Sequence, residues 1–215
     1  MMKLKMMGVA AALYACAGAA SAATYGFTCI TSGLPCTTVG TTDQILVDIT
    51  NPSGDAVRFF FTNSGGVDTR VANIYWDSNL LSYSSPTIVN GAGTDFVVGG
   101  NPSNLPVGNT LSPPFSSDFN VSAEPPPPQN GIGTGENLAV TLSLGANVTF
   151  QQLLASIGGD TRIGLNLVAS GGSMVIDGGS FNPDPDTVIP VPAALPLMFA
   201  GLVGMGFVAR RRRSA

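Results

Sequence analysis

Glu124 and Glu136 are the only glutamates in a chain of 215 residues that contains no histidine. A glycosidase needs two carboxyl groups across a cleft, and nothing in the spacing of these two brings them together, so they read as loop residues. Without histidine there is no Ser-His-Asp or Cys-His machinery, no imidazole metal ligand and no ordinary base near neutral pH. The only lysines, Lys3 and Lys5, stand at the extreme N-terminus, which leaves no amine for Schiff-base or Ser-Lys chemistry in the body. The glycine-rich GIGTGE (131–136) lacks the lysine and the following helix pattern of a phosphate-cradling loop, so its glycines are expected in turns. The residue types therefore predict a non-catalytic protein with no organic cofactor.

Carboxylates and amides in loops would suit one hard cation, calcium. The densest candidates are Asp77 with Asn79 in WDSNLL and Asp184 with Asp186 in NPDPDT. Neither matches the twelve-residue EF-hand spacing, and both pairs read first as solvated turn acids. Tyr25, Tyr75, Trp76 and Tyr83 are the residues that would stack on a sugar, but Trp76 shares the apolar parity of its strand and is expected in the core. Cys29 and Cys36, in CITSGLPC, are neither a CxxC pair nor near a third ligand. In an oxidising compartment they are expected to form one disulfide.

The elements that must hold these residues are short and β-rich. ILVDIT (45–50) and VRFFFTN (57–63) flank the turn signal Asn51-Pro52-Ser53-Gly54. TRVANIYWD (69–77), TDFVVGG (94–100), FSSDFNVSA (115–123), ENLAVTLSL (136–144) and RIGLNLVAS (162–170) follow. Apolar residues recur at period two in the second (Val57, Phe59, Phe61), the third (Ala72, Ile74, Trp76) and the last two of the whole series. One helix is expected at Phe150, Leu153, Leu154 and Ile157, spaced i, i+3, i+4 and i+7, with Thr149 as its cap and Gly158 as its stop. This pattern predicts a mainly β chain, a single antiparallel β-sandwich of immunoglobulin-like or jelly-roll-like kind with one short helix. EPPPPQN (124–130) is expected as an exposed connection within that domain.

The two ends differ from the body. Lys3 and Lys5, an apolar run from Met6 to Ala20 and the Ala20-Ser21-Ala22 site have the layout of a secretory signal peptide, with cleavage expected after Ala22 or Ala23. Its removal also takes Cys16. At the other end, Leu195 to Ala209 is 15 residues without a charge. As a helix it would be roughly 22 Å long, against about 30 Å of hydrocarbon, so it spans a membrane only marginally. Arg210, Arg211, Arg212 and Arg213 follow and belong on the cytoplasmic side. The expected division is a signal peptide at 1–22, an ectodomain at 23–178, a linker at 179–188 and a sorting segment with a transmembrane helix at 189–215. Without its ends the body keeps three arginines and thirteen acids, a net charge of −10, which repels nucleic acid.

Residues 189–213, with Pro190-Val191-Pro192, an apolar glycine-rich run and four arginines, resemble the PEP-CTERM sorting signal of Gram-negative bacteria. The match departs from the usual motif at its middle position, where Val191 stands in place of Glu. The resemblance implies an exported protein handled by signal peptidase and an exosortase, with transient passage through the inner membrane. The ectodomain would then reside at the cell surface or in an extracellular polysaccharide matrix. The body is also similar to ectodomains of unknown activity that precede this signal, in FFFTNSGGVDTRVANIYWDSNLL, GGNPSNLPVGNT, QNGIGTGENLAVTLSL and DTRIGLNLVASGGS. That family often has histidine where this chain has Asn166, and no catalytic residue follows from the likeness. The alternative from another class is a carbohydrate-binding module, calcium-assisted, acting on exopolysaccharide. It would require an exposed aromatic strip or a calcium site.

Overall fold

The computed structural model describes residues 22–32, 34–125, 129–169 and 171–176. The signal-peptide core, the linker, Asp184, Asp186, Pro190, Val191, Pro192 and the arginines 210–213 lie outside the described residues. Among the described residues no helix is long and apolar enough to cross a membrane.

The chain is mainly β and forms two antiparallel sheets. In order along the chain the strands are β1 (Ala22–Tyr25), β2 (Phe27–Cys29), β3 (Ile45–Ser53), β4 (Ala56–Asn63), β5 (Arg70–Asp77) and β6 (Leu81–Asn90). They continue with β7 (Phe96–Val98), β8 (Phe119–Ala123), β9 (Asn137–Leu144), β10 (Arg162–Val168) and β11 (Gly172–Ile176). One sheet has the order β1-β3-β4-β9-β6 and the other β2-β11-β10-β5-β8-β7. Alternation explains the first sheet: Val57, Phe59 and Phe61 are fully buried while Arg58, Phe60 and Thr62 on the opposite parity are not. β5 behaves differently, with Val71 through Trp76 all buried, which requires cover on both of its faces.

Side chains from both sheets meet in a single cluster. Phe59 and Phe61 of β4 pack edge-on against Trp76 of β5, at centroid separations of 5.7 and 5.9 Å. Phe119 of β8 lies 5.5 Å from the same indole. Edge-to-face contacts of this kind contribute about 0.5–1.5 kcal/mol beyond the area they bury. Trp76 is thus the core residue its parity predicts, although its indole N–H has no hydrogen-bond partner among the described residues.

Every strand expected from alternation is present. The expected turn at Asn51–Gly54 is displaced: β3 continues through Pro52 to Ser53, its ladder to β4 shifts between Thr50 and Ser53, and the chain reverses at Gly54 and Asp55. Four strands have no counterpart in the sequence reading, and each has a reason. β1, β2 and β11 are short, and β6 carries Pro86 within a register shift between Ser82 and Thr87. Proline is tolerated there because β6 is an edge strand with an irregular ladder.

The expectation of one short helix needs correction, because the described residues hold two α-helices. α2 (Phe150–Ser156) is the expected one, with Thr149 accepting from the Gln152 backbone and Gln152 returning a bond to the Thr149 N–H. This reciprocal cap satisfies two otherwise orphaned donors. α1 (Leu34–Thr41) was not legible: LPCTTVGT has proline, glycine, three threonines and no amphipathic stripe. Cys36, bonded to Cys29, and buried Val39 hold it against the body. Gly172 lies hard against this bridge, where a Cβ would come within 2.8 Å of the Cys36 Cβ.

Candidate functional site

The outward face of the six-stranded sheet is roofed by the segment 99–118. Leu105 and Phe115 from that segment cover Tyr75, and all three are buried as a second apolar cluster. The roof needs a flat floor, which Gly164 supplies: a Cβ there would sit 2.8 Å from Leu105. The Tyr75 hydroxyl donates to the Pro102 carbonyl at 3.0 Å, and burial raises its pKa above the ordinary tyrosine value. Asn104 stitches the roof internally, accepting from the Ser117 and Leu105 N–H groups and donating to the Phe115 carbonyl.

Arg162 fastens the far edge. Its guanidinium donates to the carbonyls of Pro113 and Pro114 and to the Asp77 carboxylate, and it lies over the Phe115 ring at 5.2 Å. Asp77 also accepts from the Ser116 N–H at 3.0 Å. Asp77, one of the calcium candidates, is therefore an internal strut. Asn79 sits exposed in the turn that follows, and no group of three or more acids or cysteines that could hold a metal occurs among the described residues.

Beside the roof, over β5, β8 and β10, lies a pocket of about 420 Å³. Its floor is a polar row crossing three strands in register: Asn166 opposite Asn73, and Asn73 opposite Ser122. The Asn166 amide donates to Asn73 Oδ1 at 3.0 Å. Asn73 in turn donates to Ser122 Oγ at 2.6 Å and to the Asn101 carbonyl at 3.3 Å. A backbone carbonyl can only accept, so Asn101 dictates which way the Asn73 amide faces, and through it the orientation of Asn166. The walls are apolar, from Val97, Val168, Pro102 and Pro125. Glu124 stands at the border, and its carboxylate makes no hydrogen bond or ion pair with a described residue.

The other sequence candidates fall apart from this pocket. Glu136 is held by Arg70 at 3.0 Å and by the Gly133 N–H at 2.6 Å, so it braces the 131–136 loop, and Gly135 adopts the positive φ of a turn as expected. Of the two glutamates, Glu124 lines the pocket and Glu136 does not. The four aromatics make no platform: Tyr25, Tyr75 and Trp76 are buried, and Tyr83 stacks on Phe119 at 5.2 Å with its hydroxyl bonded to the Ser78 carbonyl. Ala22 and Ala23 lie in β1, opposite Thr50 and Ile49. Cys29 and Cys36 stand at disulfide distance, as their spacing and setting led one to expect.

Asn73 and Ser122 were not singled out by sequence, and Asn166 only through a family likeness. Their common signal is slight: each is a polar residue between apolar neighbours, in ANI, VSA and LNL. Only the register shows that they share one row. Comparison with family models, with curated proteins and with solved structures finds no match to this chain.

Proposed function

We propose that this chain is a non-catalytic exported protein, a β-sandwich ectodomain displayed at the surface or in the extracellular matrix after processing of a PEP-CTERM-like C-terminal signal. The observation that carries the reading is the pairing of a tripartite leader with a Pro-x-Pro, apolar, poly-arginine tail around a body without histidine or lysine. The shared core of the two sheets supports the sandwich, since Phe59 and Phe61 of one meet Trp76 of the other. The Cys29–Cys36 pair accords with an oxidising destination. Signal peptidase and an exosortase are the processing partners, and the inner membrane is crossed in transit.

The test is the intact mass of the protein from medium and envelope fractions, without reductant. The expected species begins at Ala23 or Thr24, ends near Pro190 and is two hydrogens lighter than the reduced chain. A membrane-bound form retaining Arg210 to Arg213, with no shorter form anywhere, would make the tail a plain anchor and end the sorting reading. The pocket floored by Asn73 and Asn166 favours a second reading, in which the displayed body binds a glycan. In that reading the ligand meets amides, because the aromatics first considered for it are buried or stacked internally.

A further inference from the structure

The geometry points to the pocket bordered by Asn166, Ser122 and Glu124 as a binding site for a neutral sugar unit of a glycan chain. This assignment rests on the glycan-binding reading and is independent of the route of export. It starts from what the polar row leaves over. Asn73 spends both amide hydrogens on Ser122 and Asn101 and receives one from Asn166. It is a positioning residue, with only one carbonyl lone pair to spare. Asn166 spends one amide hydrogen on Asn73, which leaves its second hydrogen and its Oδ1 uncommitted among the described residues. Ser122 accepts from Asn73, and its hydroxyl hydrogen has no acceptor among the described residues.

An amide with one donor and one acceptor side by side matches two adjacent hydroxyls, one accepting and one donating. The Ser122 hydroxyl adds a donor two strands away, on the far side of Asn73 and fixed in register. Val97, Val168 and Pro102 offer apolar surface for the C–H face of a ring. The volume of about 420 Å³ falls in the usual range for small-ligand pockets, roughly 300–1,000 Å³. Val97 belongs to the edge strand β7, and Asn101, Pro102 and Pro125 are exposed, so a chain could continue past the bound unit. Charge selects against acidic sugars: Glu124 at the border has no partner among the described residues and the body carries ten net negative charges. Neutral hexose units are the class that satisfies the donors, the acceptor, the walls and the field together.

The exported protein is titrated with glucose, galactose and mannose, with glucuronic acid and choline as charged counterparts, and followed by ¹⁵N NMR of side-chain amides. The expected result is binding of at least one hexose with movement of the Asn166 and Asn73 amide signals, and weaker binding of glucuronic acid. Asn166→Leu should weaken hexose binding about tenfold or more, as loss of a paired hydrogen-bonding group implies. If that variant does not fold, Glu124→Gln serves, since its side chain holds nothing in place. It should raise glucuronate binding about threefold or more relative to hexose binding. Hexose binding that Asn166→Leu does not weaken would overturn this site and leave glycan binding elsewhere. Failure of all three hexoses would overturn both, and a pocket that takes choline instead would assign it to cations.

Discussion

Arg162 and Asp77 stand directly opposite one another at the end of the β10–β5 ladder, and their ion pair anchors the roof of the sheet. The side chains are only 13% and 18% exposed, so the pair is sheltered enough that losing one partner strands the other. The guanidinium also serves the Pro113 and Pro114 carbonyls. Arg162→Met should therefore lower stability by roughly 2–4 kcal/mol, read as a reduced urea midpoint with an unchanged slope. Asp77→Asn should be destabilising to the same extent with and without millimolar calcium. A loss that appears only with calcium present would return Asp77 to the role of a ligand.

The Cys29–Cys36 bridge closes a short loop and ties α1 to β2. Reduction should cost about 2.5 kcal/mol in the chain-entropy account of so small a loop. Thermal unfolding with and without a phosphine reductant measures it, and the double variant Cys29→Ser with Cys36→Ser should behave like the reduced protein. Because α1 has little intrinsic helix preference, its amides should lose hydrogen-exchange protection first. Equal protection in both forms would show that buried Val39 alone suffices.

Trp76 is the one tryptophan and is enclosed by Phe59, Phe61 and Phe119. Its emission should be blue-shifted, insensitive to iodide, and shift red in the same transition that melts the sheets. Trp76→Ala should cost about 3–5 kcal/mol, the usual range for emptying an aromatic core site. A tryptophan quenched by iodide in the folded protein would contradict the shared core.

Tyr25, Tyr75 and Tyr83 all have raised pKa values, from burial first and, for Tyr83, also from the nearby charges of Asp118 and Asp77. In the unfolded chain tyrosine ionises near pH 10. The folded state holds on to these protons longer, so their contribution is whole below about pH 10 and is lost as pH rises towards the folded values. For fully buried Tyr75 the loss should run at roughly 1.4 kcal/mol per pH unit. Unfolding midpoints taken between pH 8 and 11 should be flat and then fall. Tyr75→Phe should soften the fall while costing about 1 kcal/mol at neutral pH through its bond to Pro102.

Alternation in β4 and β9 and the i, i+3, i+4, i+7 spacing with a Thr149 cap were readable because each is a local pattern whose period matches its element. The same locality explains what was not readable. β6 is broken by Pro86, α1 owes its place to a disulfide, and β1, β2 and β11 are too short to show a period. Tyr75 sits on the outward parity of β5, and it is buried only because residues 99–118 return over it from a distance along the chain.

The sequence by itself determined the types of chemistry available: no histidine, no body lysine, an acidic charge balance, a cysteine pair and two ends unlike the body. Those are properties of composition and order, which folding does not alter. Tertiary structure alone decided which groups are committed and which are left over. Asp77 became a strut because β10 brings Arg162 opposite it, and Glu136 became a brace because Arg70 reaches it. Asn73, Ser122 and Asn166 became one row because antiparallel register sets residues far apart in sequence side by side. Hydrogen-bonding capacity is spent on neighbours in space, and those neighbours are chosen by the ladder and not by the local sequence.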